Sequence, residues 1–176
     1  VGIAVALMLI SPELVLIFGS PKYREAVYVI PPVAASVFFI FIYNILSMPQ
    51  FYYEKTQFLM AASMAAAGAN VVLNFIFIRL FGYIAAGYTT LACYMLYSVG
   101  HYIVSKRILV NEGIQENLMN PGFLLACSVF LIGASIICNL IFPYRILRYA
   151  ILLASAGLVF WKKELLLKTM ADIRKK

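Results

Sequence analysis

The side chains best suited to chemistry in this chain are uncharged. Asn70 and Asn74 lie four residues apart, and with Ser63 and Ala67 they fall at spacings of four, three and four, which is one face of a helix. Ser36, Ile40, Tyr43 and Ser47, with Asn44 alongside, repeat that spacing upstream, and Thr90, Tyr94, Tyr97 and His101 repeat it downstream. Amides, hydroxyls and phenol rings donate and accept hydrogen bonds. They fit two roles, hydrogen bonding between helices or the lining of a polar cavity. Asn44, Asn70, Asn74, Tyr43 and Tyr94 are the candidates for the second role. His101 stands a few residues before Lys106 and Arg107 and is read as a capping or interfacial group near the end of its helix.

The elements that must hold these stripes are built for lipid. The chain has 64% hydrophobic and 12% charged residues, where soluble domains average about 25% charged. Residues Phe58 to Arg79, FLMAASMAAAGANVVLNFIFIR, carry no charge before their last position. About 20 residues at 1.5 Å each match a hydrocarbon core of about 30 Å. Charges and turn residues divide the chain into six apolar stretches, about 1–18, 26–48, 58–78, 83–104, 122–142 and 144–161, followed by a basic tail, 162–176. The expectation is an all-α integral membrane protein, a polytopic bundle of about six transmembrane helices whose short connections make neighbours antiparallel. Ser11-Pro12-Glu13 is expected to end or bend the first helix, since proline removes a backbone donor. Pro31-Pro32 suits either the first turn of the second helix or a hinge. Ala61, Ala65 and Ala69 form a small-residue ridge that permits close packing.

Lysine and arginine set the orientation, because cytoplasmic loops collect them. One side gathers Lys55, Lys106, Arg107 and the bases of the tail; the other gathers Lys22, Arg24, Arg79, Arg145 and Arg148. This places the C-terminus in the cytoplasm, with the tail either lying on an anionic leaflet or solvated. The net charge of +7 is spread over segments between apolar runs, so nucleic acid is not an expected partner. The chain begins at Val1, already inside an apolar run, and is read as a fragment.

All seven acids lie at or beyond the ends of the spans, whereas an ion relay usually needs an ionisable group at membrane depth. There is no phosphate-binding loop, no His/Cys metal spacing and no nucleophile beside a base, so neither enzyme, metal nor cofactor is expected. Cys93, Cys127 and Cys138 lie within apolar runs and read as small buried hydrophobes.

Residues 10–105 carry a resemblance. SPELVLIFGSPKYREAVYVIPPVA, the aromatic-Glu-Lys-Thr of Tyr53–Thr56, Asn70 with Asn74, and Phe81-Gly82-Tyr83 followed by Ala85, Ala86, Gly87, Thr89 and Thr90 resemble the C-terminal lobe of bacterial polysaccharide flippases. These belong to the multidrug and oligosaccharidyl-lipid exporter superfamily. The last two helices are similar only in hydropathy, and Arg79 stands where relatives commonly have proline, which leaves the exit of the third helix open. The resemblance implies the C-terminal lobe of a MATE-like transporter fold in the bacterial inner (plasma) membrane, completed by a missing N-terminal lobe of the same chain. It implies export of a lipid-linked oligosaccharide, a repeat unit on undecaprenyl diphosphate, by alternating access among membrane lipids. The Asn, Ser, Thr and Tyr stripes would then meet sugar hydroxyls. A cation-coupled multidrug antiporter is the alternative on the same fold. A membrane enzyme would need loop His/Asp/Arg constellations that the chain lacks, and a packing scaffold would bury the stripes between helices.

Overall fold

The computed structural model describes residues 1–114 and 118–161, and these are all-helical, with no strand among them. In chain order they form α1 (Gly2–Phe18), a 3₁₀ segment (Pro21–Val29), α2 (Ile30–Tyr52), α3 (Thr56–Phe81), α4 (Ala85–Asn111), α5 (Pro121–Ile141) and α6 (Arg145–Trp161). Among the described residues three stretches are long and apolar enough to cross a membrane, Lys22–Tyr52, Thr56–Phe81 and Pro121–Ile141. α1 is apolar but only 17 residues long, while α4 has the length, at 27 residues, and is diluted by hydroxyls, His101, Lys106 and Arg107. The basic tail lies outside the described residues. The chain divides into two compact units, residues 1–139 and 140–176, the second containing α6.

Of the two expectations at Pro12, the end of the helix is not met, because α1 continues to Phe18. A proline at position 12 cannot supply the N–H that the carbonyl of Met8 would accept. The hydroxyl of buried Ser11 donates to Met8 O at 2.7 Å instead, so the freed acceptor is satisfied one residue early. Pro31 and Pro32 occupy the first turn of α2, where missing donors cost least. The carbonyl that Pro32 leaves free, Tyr28 O, accepts from Asn139 Nδ2 of α5 at 3.3 Å.

The central feature of the first unit is a seam between α2 and α4. Ser98 Oγ stands 2.9 Å from two acceptors, Phe39 O across the seam and Tyr94 O of its own helix, and seven residues on Ser105 Oγ donates to Leu46 O. Both partners advance together, so α2 and α4 are parallel. Buried Ser98, His101, Ser105 and Ile108 of α4, and buried Pro32, Ala35, Phe39, Ile42 and Leu46 of α2, each recur at alternating three- and four-residue steps, the spacing that keeps a helix seam in register. Lipid tails are as apolar as these side chains, so the seam is held by close packing and by hydrogen bonds of about 0.6 kcal/mol each. Gly87 permits a close approach. A Cβ there would stand 2.8 Å from Pro32 Cγ and 3.0 Å from Val29 O.

α3 packs chiefly on α4 and has no fully buried residue. Ser63 meets Tyr97 near one end and Asn74 meets Thr89 near the other, so α3 is antiparallel to α4. The ridge of Ala61, Ala65 and Ala69 is exposed and does not serve the close packing expected of it. The open question at Arg79 resolves simply. α3 runs through it to Phe81, the guanidinium sits over the Phe75 ring at 3.9 Å, and Gly82 stops the helix at φ 77°, a conformation suited to glycine. At α5, Asn120 Oδ1 accepts from the N–H groups of Gly122 and Phe123 at 3.0 and 3.4 Å, an N-cap placed just before Pro121.

Candidate functional site: a polar cleft on α2, α3 and α4

The two polar contacts that join α3 to α4 are 11 positions apart on α3, from Ser63 to Asn74, about 16 Å along the axis at 1.5 Å per residue. Between them the helices leave an open cleft of about 520 Å³, walled on its third side by Tyr43 of α2. That volume falls within the range of small-molecule sites, about 300–1,000 Å³. Its polar groups are Tyr43, Ser63, Asn70, Thr90, Tyr94 and Tyr97, and none of its lining residues is charged.

The aromatic wall is ordered by mutual contact. Tyr43 and Tyr94 lie nearly parallel, with ring centroids 6.4 Å apart and planes 9° apart, and Tyr97 leans on Tyr43 at 4.7 Å. The Tyr97 hydroxyl shares a hydrogen bond of 2.6 Å with Ser63 Oγ. Such a wall suits the flat, weakly polar faces of a ligand, while the amide of Asn70 and the hydroxyl of Thr90 suit its hydrogen-bonding edges.

Of the five residues singled out in the sequence, Tyr43, Asn70 and Tyr94 line the cleft. Asn74 and Asn44 do not. Asn74 joins α3 to α4, donating from Nδ2 to Asn70 Oδ1 at 2.8 Å and accepting from Thr89 Oγ1 at 2.5 Å. One amide thus holds α3 to α4 and orients the Asn70 side chain at the cleft edge. Asn44 is exposed and donates only to Ile40 O of its own helix, at 2.7 Å. Ser36 and Ser47 likewise bond back to their own helix. Of the stripe on α2, Tyr43 is the residue that lines the cleft.

His101 is neither a cap nor an interfacial group, as the sequence had suggested, but a core residue, 1% exposed. It packs against Tyr43 and Tyr97 of the cleft wall, with centroids 5.8 and 4.4 Å away. Its Nδ1 lies 2.8 Å from Gln50 Nε2, which also donates to Ser105 Oγ at 3.0 Å. Gln50 and Ser105 were not singled out in the sequence. The signal for Ser105 is its place in the run 91, 98, 101, 105, 108; Gln50, after Pro49 in an apparent loop, has none, because α2 continues to Tyr52.

Among the described residues no group of three or more His, Cys, Asp or Glu could hold a metal. Cys93 and Cys138 are buried free thiols, and Cys127 is half-buried. Comparison with protein-family models, with curated proteins and with solved structures finds no match to this chain.

Proposed function

We propose that the chain belongs to a membrane transporter that moves a lipid-linked oligosaccharide across a bacterial inner membrane by alternating access, with its C-terminal tail in the cytoplasm. The observation that carries this reading is the composition of the cleft: phenol rings, hydroxyls and an amide, with no charge, on helices of which α3 and the stretch containing α2 are long and apolar enough to cross lipid. Sugar rings present apolar C–H faces that stack on aromatic rings, and hydroxyl edges that pair with Asn, Ser and Thr. Moving such a head group through hydrocarbon without partners costs several kcal/mol for each unpaired polar group, on the order of 4–8 against a fully apolar medium. A polar lining removes much of that cost while the lipid tail stays in the bilayer. An uncharged lining suits the glycan better than a phosphate, which calls for arginine or lysine. The antiporter alternative, with an organic cation as substrate, would need its acid in the missing lobe, since none of the residues lining this cleft is a carboxylate.

The test is export of surface glycan in cells that depend on the full-length protein. Asn70→Ala combined with Tyr94→Ala should lower export at least tenfold at a normal membrane level, while Asn44→Ala leaves it unchanged. Full export by the double variant would remove the cleft from the substrate path.

A further inference from the structure

Gln50, His101 and Ser105 form a buried hydrogen-bonded chain across the α2–α4 seam, 0%, 1% and 0% exposed respectively. Its polarity can be worked out from donors and acceptors. Ser105 has one hydroxyl hydrogen, and that hydrogen goes to Leu46 O. Ser105 Oγ must therefore accept from Gln50, which sets the amide nitrogen of Gln50 on that side, 3.0 Å away. The same nitrogen faces His101 Nδ1 at 2.8 Å, so Nδ1 carries a lone pair and the ring proton sits on Nε2. The order of donation runs from Gln50 to both His101 and Ser105, and from Ser105 to the backbone of α2.

We propose that His101 Nδ1 is a proton-binding site, and that taking a proton there reverses this chain and detaches Ser105 from the backbone of α2. When Nδ1 takes a proton from hydronium, leaving water, it becomes a donor facing another donor. The Gln50 amide answers by turning over. Its oxygen then accepts from Nδ1–H and faces Ser105 Oγ, whose hydroxyl rotates away from Leu46 O to donate to it. No hydrogen bond opposes the turn on the far side of the amide, because Gln50 Oε1 is a buried oxygen with no hydrogen-bond partner among the described residues. His101 Nε2 is likewise unpartnered there and remains a donor in both states.

The groups that face His101 are Tyr43 and Gln50 from α2 and Tyr97 and Ser105 from its own helix; α3 reaches it only through Ser63 on the Tyr97 hydroxyl. The charged residues nearest in sequence, Glu54 and Lys55 after α2 and Lys106 and Arg107 on α4, are exposed. Among the described residues no carboxylate is hydrogen-bonded or ion-paired to the ring, so the response of the site belongs to the amide and the serine. A cationic ring beside Tyr43 and Tyr97 is also drawn to their faces, which carries the change into the cleft wall. The inference does not depend on what the cleft transports.

Residues 1–176 contain one histidine, so in this stretch, reconstituted in lipid nanodiscs, ring nitrogens labelled with 15N report on this site alone. Above the titration the spectrum should show a pyridine-type Nδ1 and a pyrrole-type Nε2. On acidification both nitrogens should become pyrrole-type, and the 13C signal of the Leu46 carbonyl should move in step with them. In Ser105→Ala the Leu46 signal should stay still while the ring still titrates, and the neutral ring should show both tautomers because the amide is no longer fixed. In Gln50→Glu the ring should be doubly protonated at neutral pH. A neutral wild-type ring with its proton on Nδ1, or a Leu46 carbonyl that ignores ring protonation, would overturn the proposal; both are measured on the wild type and need no variant to fold.

Discussion

Gly87→Ala tests the tightness of the seam quantitatively. The added Cβ would meet Pro32 Cγ at 2.8 Å, Val29 O at 3.0 Å and Val29 Cγ1 at 3.2 Å. Two of these neighbours cannot swing aside, since one belongs to a proline ring in the first turn of α2 and the other is backbone. α4 must therefore move away from α2, loosening the packing that follows it down to Ser98. Overpacking of this kind costs about 1–3 kcal/mol, while Gly→Ala in a helix interior returns about 1 kcal/mol of propensity. The propensity gain cancels in a comparison with Gly100→Ala, a second glycine of the same helix whose added Cβ would have nothing within 4 Å. The difference between the two variants then isolates the seam, and it should be about 1–3 kcal/mol against Gly87→Ala. Unfolding in mixed micelles, followed by circular dichroism against increasing denaturing detergent, measures it. Equal midpoints for the two variants would refute the close crossing at Gly87.

Two further expectations follow from individual hydrogen bonds. Ser11→Ala should destabilise the protein by about 1 kcal/mol when Pro12 is present and by far less in a Pro12→Ala background, where a backbone N–H again serves Met8 O; a double-mutant cycle on thermal unfolding reads the coupling, and a coupling of zero would dismiss the repair. Asn74→Leu should cost about 0.6–1.7 kcal/mol through its lost contact with Thr89, whereas Asn44→Leu should cost nothing measurable; thermal unfolding in detergent that ranked them the other way would contradict their assigned places.

The sequence showed the helices more clearly than their ends, and the ends failed for local reasons. Charges and glycines bracket α3 and α4 well, but Pro12 and Pro49 look like stops and are not, because in α1 a neighbouring hydroxyl takes over the missing donor's work and in α2 the proline stands within the last turns. The cleft was half legible. Helical spacing on α3 and α4 collected Ser63, Asn70, Thr90, Tyr94 and Tyr97 on facing sides, and the structure brings them together. Spacing could not distinguish Asn70, at the edge of the cleft, from Asn74, absorbed in joining two helices, since they share one face and differ only in whether Thr89 lies opposite. His101 was misplaced because Lys106 and Arg107 suggested a helix end there, while α4 continues to Asn111 and keeps the imidazole within the seam.

Ser98 and Ser105 grip α2 by its main chain, not by its side chains. Any amino acid at positions 39 and 46 presents the same oxygen, so the grip is indifferent to what those positions encode. Replacements of similar bulk at Phe39 and Leu46 should therefore leave the alignment of the two rods intact. Exchanging either serine for alanine should weaken that alignment by about 0.6 kcal/mol for each bond lost.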